Sequence, residues 1–243
     1  MGIGAKLKNL FGFSIYGSIS KYNVGAVENA RFISHLGPNW SAIFYFDDSV
    51  PPETIRQIEG FGAITKRVEQ DWHTNGMFWR FRVARDFDFE RILIRDVDSR
   101  ISDRELSAVS SWIESGKTFH IMRDHPNHRT PMLGGMWGAS RKIKDYDHIW
   151  SKEEEYGNFV GEDQRFLRDH LYALAKGDAC IHDSFFRFEK DRSHFPVKRV
   201  NSEYVGESVD ENGQYDDALR VKLSNIESSR LRRIMLMRPQ INL

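Results

Sequence analysis

Short apolar runs alternate with longer amphipathic stretches along most of this chain. Period-two and continuous apolar runs are typical of strands, whereas apolar residues repeating every three or four positions are typical of helices. The runs predict strands at 11–16, 41–46, 62–68, 91–94, 117–122 and 179–182. The stretches between them predict helices at 23–36, 51–59 and 163–175. One more helix is predicted between the capping box Ser102–Glu105 and Gly116. The segment 75–85 could be helical but is ambiguous. This alternation predicts an α/β domain with a mostly parallel, mixed central sheet flanked by helices.

The pattern weakens after Arg187. Residues 201–217 are polar and acidic, which predicts a loop, and 220–238 carry apolar residues among several arginines, which predicts a terminal helix docked on the core. We therefore expect a single domain over 1–243, with a core at about 11–190 and a C-terminal loop and helix extension at 191–243.

Composition narrows the classes of protein that need considering. The 243 residues are 40% apolar, and 35 basic residues balance 35 acidic ones, so no overall charge favours nucleic acid, and we expect no nucleic-acid partner. The lone Cys180 cannot form an intramolecular disulfide or a cysteine-rich zinc site. No apolar run approaches the roughly 20 residues of a transmembrane helix. We expect a cytoplasmic protein; the alternative of peripheral contact with the inner membrane face rests on Arg230, Arg232, Arg233 and Arg238.

Two aspartates, Asp96 and Asp98, directly follow the predicted strand Arg91–Ile94. In open α/β sheets, ligands bind beyond the carboxyl ends of the strands. Carboxylates one residue apart in an extended segment can face the same side, and hard divalent cations prefer oxygen ligands and bridge phosphates. The pair therefore predicts a metal–diphosphate site, although a solvated turn after a strand remains the alternative because Asp-x-Asp occurs often by chance.

Five motifs occur in a fixed order along the chain: Phe78-Trp-Arg-Phe81, Arg95-Asp-Val-Asp-Ser-Arg100, Met122-Arg-Asp-His-Pro126 with Gly134-Gly-Met-Trp-Gly138, Gly161-Glu-Asp-Gln164, and His182-Asp-Ser184. Together they resemble a family of GT-A glycosyltransferases from bacterial surface-polysaccharide loci and from large algal viruses, over roughly Phe13 to Glu207. The resemblance implies a single GT-A (Rossmann-like) domain. It also implies a hexosyl- or deoxyhexosyltransferase that moves sugar from a nucleotide diphosphate-sugar, with a UDP-sugar favoured, to a hydroxyl of a glycan or glycoconjugate acceptor.

The resemblance also implies how a metal ion would be held. Asp98 would ligate the ion, Asp96 would lie between the ion and the nucleotide ribose, and His182 would supply a further ligand. A donor set of oxygen and imidazole favours Mn²⁺ over Mg²⁺. The alternative for His182 is a buried, hydrogen-bonded core histidine.

Several further residues are candidates for binding the donor. Arginine suits bidentate contacts with phosphate, so Arg80, Arg95 and Arg100 could assist the diphosphate, with ordinary ion pairing as the alternative. The ends of the first two predicted strands meet the nucleotide base or ribose in GT-A folds. The resemblance therefore assigns these contacts to Ser14, Tyr16, Gly17 and Asp47.

The acidic segment Gly161–Gln164 resembles the segment that many GT-A transferases place beside the acceptor hydroxyl. Asp163 is the first candidate for the general base that deprotonates the acceptor hydroxyl, and Glu162 is the second. The alternative is that both acids stabilise the start of a helix through its dipole. Asp124 is a reserve candidate, and Trp137 could stack on a sugar beside Gly134-Gly135 or belong to the core.

Two other functions remain open at this point. A glycoside hydrolase could use a carboxylate pair such as Asp98 and Asp163 without metal or nucleotide. A non-catalytic nucleotide- or glycan-binding module could keep the fold without the activity.

Overall fold

In the computed structural model, which describes residues 7–69, 76–86, 88–140 and 143–229, the apolar runs form one seven-stranded sheet. The strands are β1 (Leu7–Ile15), β2 (Trp40–Phe46), β3 (Ile64–Arg67), β4 (Phe89–Arg95), β5 (Phe119–Arg123), β6 (Met136–Ala139) and β7 (Ala179–Asp183). Their spatial order is β3-β2-β1-β4-β6-β5-β7. Only β6 pairs antiparallel with its neighbours among the described strands. The predicted α/β class with a mostly parallel mixed sheet is confirmed.

Helices cover both faces of the sheet. They are α1 (Ser20–Ser34), α2 (Pro52–Gly60), α3 (Val83–Asp86), α4 (Asp103–Ser115), α5 (Tyr146–Trp150), α6 (Glu162–Phe166), α7 (Tyr172–Ala175) and α8 (Asp217–Ser228). The N-cap half of the predicted capping box is confirmed at α4, where the Ser102 side chain accepts the Glu105 N–H and Gly116 ends the helix at φ 66°. The Glu105 carboxylate pairs with Arg95 instead of completing the box. A 3₁₀ segment, Gly76–Arg82, leads directly into α3.

Alternating side chains of the strands build two apolar layers. On one face, Phe11, Phe13 and Phe44 pack against α1, α2 and α4. On the other face, Leu10 and Ile94 belong to a larger cluster that includes the aromatic residues of the 3₁₀ segment and of α6. Because the strands are apolar toward both faces, the sheet is buried on both sides, as expected for parallel strands.

The chain changes direction across the sheet between β1 and β4. It runs from β1 outward through β2 to β3, and then returns to the opposite side of β1 as β4. β1 and β4 are parallel neighbours, so their carboxyl ends lie at the same edge, and the connections that leave them diverge. This is a topological switch point, the place where open α/β sheets form ligand crevices.

Three parts of the fold differ from the sequence prediction. β6 and α5 are absent from the predicted elements, because Met136–Ala139 is only four residues long and Tyr146–Trp150 only five. The predicted helix 163–175 is interrupted by a π-helical segment, Leu167–Leu171. The terminal helix covers Asp217–Ser228, while 230–243, with the arginines proposed for membrane contact, lies outside the described residues. No helix within the described residues is long and apolar enough to cross a membrane.

Candidate functional site

A cleft of about 500 Å³ opens at the switch point, beyond the carboxyl ends of β1 and β4. Six of the predicted site residues line it: Ser14, Tyr16, Arg80, Asp96, Asp98 and Asp163. They come from the end of β1, the 3₁₀ segment, the turn after β4 and the start of α6. The structure therefore brings together side chains that are far apart in the sequence.

Residues of helix α1 hold the backbone of the Asp96-Val-Asp98 turn in place. The side-chain amide of Asn29 donates to the carbonyl oxygens of Val97, at 3.2 Å, and Ser99, at 3.0 Å. A Cβ atom at Gly25 would lie 3.0 Å from the carbonyl carbon of Val97 and closer still to its oxygen, so glycine is needed for this approach. With its carbonyl groups turned toward α1, the turn presents both aspartate side chains to the cleft.

Arg80 joins three parts of the site. Its backbone N–H donates to Ser14 Oγ at 2.8 Å, which fixes the 3₁₀ segment on the end of β1. Its buried guanidinium group forms ion pairs with Asp96 and, at 2.7 Å, with Asp163. A buried arginine between two carboxylates holds both at defined positions through charge-assisted hydrogen bonds.

Asp96 carries a raised pKa. Removal of its carboxylate from bulk water is the largest cause; Arg80 opposes the shift, and the nearby charges of Asp98 and Asp163 add to it. The three carboxylates of Asp96, Asp98 and Asp163 outnumber the two cationic groups that pair with them, Arg80 and Lys21, so the cleft favours an added cation.

Asp98 has partners that the sequence did not predict. Its Oδ2 lies 2.8 Å from Lys21 Nζ and accepts a hydrogen bond from Ser208 Oγ at 3.1 Å. Its backbone oxygen accepts the Val209 N–H at 2.7 Å. Lys21 lies in the first turn of α1, but the predicted helix begins only at residue 23, and no feature of the sequence marks Lys21 or Ser208 as a partner of Asp98.

The Gly134-Gly135 pair lies against the carboxylates and not against open space for a sugar. A Cβ at Gly134 would lie 2.6 Å from Arg80 Nη2 and in hard contact with Asp163. A Cβ at Gly135 would lie 2.8 Å from the backbone nitrogen of Asp96 and in hard contact with its carboxylate. Both glycines line the cleft, so they leave room for the charged cluster that forms its floor.

Of the three candidates for the base, only Asp163 reaches the cleft in the described part of the chain. Its Oδ2 accepts from Arg80, and its Oδ1 accepts the Gln164 N–H at 2.8 Å. Glu162 instead pairs with Arg165 at 3.1 Å and accepts the Gly157 N–H at 3.2 Å, so its side chain stabilises the entry to α6.

Asp124, the reserve base candidate, is a buried structural anchor. Its carboxylate accepts two hydrogen bonds from Arg104, at 2.7 and 2.8 Å, and others from Arg199 and Ser184. It also accepts the Val205 N–H at 3.0 Å. With these donors around it and its side chain fully buried, Asp124 fastens the C-terminal segment to β5, and it does not line the cleft formed by the described residues.

His182 is not beside Asp98. In the described sheet, β6 and β5 lie between β4 and β7, so His182 is three strand positions away from the Asp-Val-Asp turn, or about 14 Å at the usual strand spacing. Its Nδ1 is 3.0 Å from His120 Nε2, and its side chain is fully buried. Burial lowers the pKa of His182 to about 4, with the Arg104 charge contributing. The expectation that His182 and Asp98 share one ion is therefore wrong, and His182 is a buried core histidine.

Arg95 is also a core residue. Its buried guanidinium pairs with Glu105 and donates to the carbonyl oxygens of Ile94, at 2.7 Å, and Trp137, at 3.0 Å. It fastens α4 and β6 to β4 and does not point to the cleft lining. Trp137 itself is fully buried and contacts Phe81, so it is a core aromatic and not a sugar platform.

Gly17 and Asp47, predicted to contact the base or ribose, lie beside the cleft and outside its lining of described residues. The Gly17 N–H donates to Ser49 Oγ at 2.6 Å, and Asp47 Oδ1 accepts from the Ser49 N–H at 3.1 Å. Ser49 therefore connects the loops that follow β1 and β2.

The carboxylate oxygens in the cleft suit a divalent cation that prefers oxygen ligands. The Asp96 and Asp98 side chains are 45% and 21% exposed and both face the cleft. The described residues contain no ready-made cluster of three or more His, Cys, Asp or Glu ligands. Two carboxylates completed by phosphate oxygens and water are the usual protein environment of Mg²⁺. Without His182, the reason to favour Mn²⁺ over Mg²⁺ is lost, since carboxylate and phosphate oxygens suit either ion.

Comparison with known proteins gave no matching family model and no matching curated protein. Among solved structures, a glucosyl-3-phosphoglycerate synthase from Mycobacterium tuberculosis, in complex with Mn²⁺, UDP and phosphoglyceric acid, is 13% identical, with a TM-score of 0.45 over 73% of this chain and 68% of that one. Core-mannan synthase A from Aspergillus fumigatus, in its Mn/GDP form, is 7% identical, with a TM-score of 0.45 over 93% and 86%.

A 4-diphosphocytidyl-2C-methyl-D-erythritol synthase from Anaerococcus prevotii is 12% identical, with a TM-score of 0.40 over 74% of this chain and 89% of that one. Similarity at this level does not identify the reaction of this chain.

Proposed function

We propose that this chain is a divalent-cation-dependent glycosyltransferase, which moves a sugar from a nucleotide diphosphate-sugar to a hydroxyl of a glycan or glycoconjugate acceptor. The supporting observation is the charged cluster at the switch point, where Asp96 and Asp98 share one cleft with Arg80 and Asp163. A UDP-sugar is the favoured donor and a hexosyl or deoxyhexosyl group the favoured cargo, both on the resemblance of the sequence motifs.

The chain provides two carboxylates for the ion and an ordered frame around them. Asp98 and Asp96 would hold the cation, which supplies neutralisation of the charge that grows on the leaving nucleoside diphosphate. Arg80 keeps Asp96 in position, while Asn29 and Gly25 hold the turn. Ser14 and Tyr16, which line the cleft at the end of β1, would contact the nucleoside.

Asp163 is proposed as the residue that faces the acceptor. Its carboxylate accepts from Arg80 Nη2 while that of Asp96 accepts from Arg80 Nη1, so the two carboxylates share one guanidinium group. A hydroxyl that enters beside Asp163 would meet a hydrogen-bond acceptor, and in an inverting reaction that carboxylate would take the proton. The anomeric configuration of the product, read by NMR, tests this role, because an inverted product requires such a base.

The first test is ligand-dependent stability. Binding to the folded state alone raises the melting temperature by mass action. We expect stabilisation by UDP together with Mn²⁺ or Mg²⁺ that exceeds the effect of either component alone, followed by donor hydrolysis or transfer in an activity assay. GDP and dTDP should be screened in parallel. If none of the three nucleotides with metal shifts the melting temperature, the proposal is wrong.

A matched pair of variants tests whether Asp98 is a ligand of the metal. Asp98→Asn should abolish the metal-dependent shift, because an amide is a much weaker cation ligand than a carboxylate. Asp86→Asn is the control, since Asp86 pairs with Lys66 at 2.6 Å and has a side chain 17% exposed, close to the 21% of Asp98, but does not line the cleft. Cleavage of glycosides without nucleotide or metal would favour a hydrolase, and binding without turnover would favour a non-catalytic module.

A further inference from the structure

Lys21 occupies the place of a cation at Asp98. Its ammonium group lies 2.8 Å from Asp98 Oδ2, and the two side chains are 29% and 21% exposed. An ion pair partly withdrawn from water attracts more strongly than a fully exposed pair. Since Ser208 donates to the same oxygen at 3.1 Å, this side of the carboxylate is fully engaged.

The charges of the cleft make Lys21 the counterion of Asp98. Arg80 is already shared between Asp96 and Asp163. Within the described part of the site, Lys21 is therefore the side chain that neutralises the third carboxylate. A divalent ion on Asp98 would stand within a few ångströms of the ammonium group, and two like charges at that distance repel. Metal and Lys21 must compete for Asp98.

The position of Lys21 in the fold gives the displaced ammonium group a second partner. Lys21 is the second residue of the 15-residue helix α1, whose N-cap is the apolar Ile19 and therefore cannot cap the first turn with a side-chain oxygen. Ile19 at the N-cap and Tyr22 within this first turn both line the cleft. The unpaired N–H groups and dipole of a helix N-terminus favour a phosphate, and a lysine on a flexible stem can follow it.

We propose that Lys21 is an internal counterion that couples metal binding to diphosphate binding. It neutralises Asp98 while the cleft holds neither ligand, and it pairs with the nucleoside diphosphate once the cation has taken Asp98. The inference rests on the proposed function and deepens it, because it predicts that the metal binds poorly until the diphosphate arrives.

The experiment measures two affinities with opposite expected changes. Mn²⁺ is titrated by calorimetry into wild type and Lys21→Met without nucleotide, with free Mn²⁺ read independently by electron paramagnetic resonance; UDP, and GDP in a parallel series, is then titrated at saturating Mn²⁺. Methionine keeps an apolar stem and removes the charge. We expect Lys21→Met to bind Mn²⁺ about tenfold more tightly and the nucleotide about tenfold more weakly, within the usual range of coupling between two sites.

Two further variants keep the test interpretable. Lys66→Met removes a lysine–aspartate pair of 2.6 Å outside the cleft and should leave both affinities unchanged. Lys21→Arg retains the charge, so without nucleotide it should bind Mn²⁺ as weakly as wild type does. The inference is overturned if Lys21→Met binds Mn²⁺ no more tightly than wild type, or if it binds the nucleotide equally well. In either case, binding of Mn²⁺ with nucleotide by wild type would still support the proposed function. Absence of that wild-type binding overturns both.

Discussion

Replacing Gly135 with alanine tests whether the charged cluster depends on the backbone of the β4–β6 pair. Gly135 directly precedes β6, where Met136 pairs with Arg95 at the end of β4. A Cβ at this position would lie 2.8 Å from the backbone nitrogen of Asp96, whereas ordinary contact begins at 3.4 Å, and it would overlap the Asp96 carboxylate. A rotation of the side chain relieves only the second clash.

The expected cost follows from that distance. The two backbones must separate by about 0.6 Å, at a point where the ladder between β4 and β6 fixes them. Overpacking of this kind typically costs about 1–3 kcal/mol of folding free energy. For a domain of this size each kcal/mol lowers the melting temperature by about 2–4 °C. Catalytic groups displaced by about 1 Å can lose about 100-fold in rate, which is about 2.7 kcal/mol of activation free energy. The loss of turnover should therefore be of the same size as the loss of folding free energy.

The assay combines urea denaturation with calorimetry of UDP in the presence of Mn²⁺. Gly135→Ala should lower the free energy of unfolding and weaken the binding of nucleotide and metal at least tenfold. It should also reduce turnover. Gly177→Ala is the control, because a Cβ there would meet no atom of the described residues within 4 Å. If Gly135→Ala binds the metal and nucleotide as wild type does, Asp96 is not held against the β6 backbone in the way described.

Three other expectations follow from the same contacts. Asp163→Asn should lower kcat by about 100-fold or more with little change in nucleotide affinity, as for loss of a general base, while Glu162→Gln should leave kcat near wild type; equal losses in both variants would contradict the assignment. Asp124→Asn should cost about 3–5 kcal/mol of unfolding free energy, because it removes one charge from a buried ion-pair network; a loss below about 1 kcal/mol would show that the network is not rigid. Burial lowers the pKa of His182 to about 4 and that of His128 to about 3. The unfolded chain then binds more protons below about pH 6.5, so stability should fall on acidification by up to about 1.4 kcal/mol per pH unit for each histidine, as measured by urea midpoints between about pH 7 and pH 5.

The features that the sequence predicted well are local. The first two strands and the strand before Asp96 were placed within a few residues, because each is a continuous apolar run buried on both faces. The start of α4 follows from a four-residue signal, and its N-cap bond from the Glu105 N–H to Ser102 forms as expected. The placement of Asp96 and Asp98 beyond a buried strand needed only the rule that ligands bind at the carboxyl ends of parallel strands.

The features that it missed depend on which strands become neighbours. His182 follows an apolar run just as Asp98 does, so both were expected at one ligand edge. The short strand β6 is inserted antiparallel between β4 and β5, and this separates them. A strand of four residues that follows two glycines gives too weak a periodic signal to be recognised. Likewise, Arg95 and Asp124 have the residue types of a binding site, but their partners lie on α4 and in the C-terminal segment.

The C-terminal segment changes the interpretation of the site as well as of the fold. It was expected to be an extension beyond a core that ends near residue 190, yet Gly206 lines the cleft and Ser208 donates to Asp98. Buried ion pairs that join Asp124 to Arg104 and Arg199, together with the bond from Val205, hold this segment in place. Since an uncompensated buried charge is costly, the segment cannot leave without exposing Asp124 to that cost. The same anchor that stabilises the fold therefore sets the position of one wall of the cleft, and the proposed metal–diphosphate site includes the C-terminal segment as well as the strand–helix core.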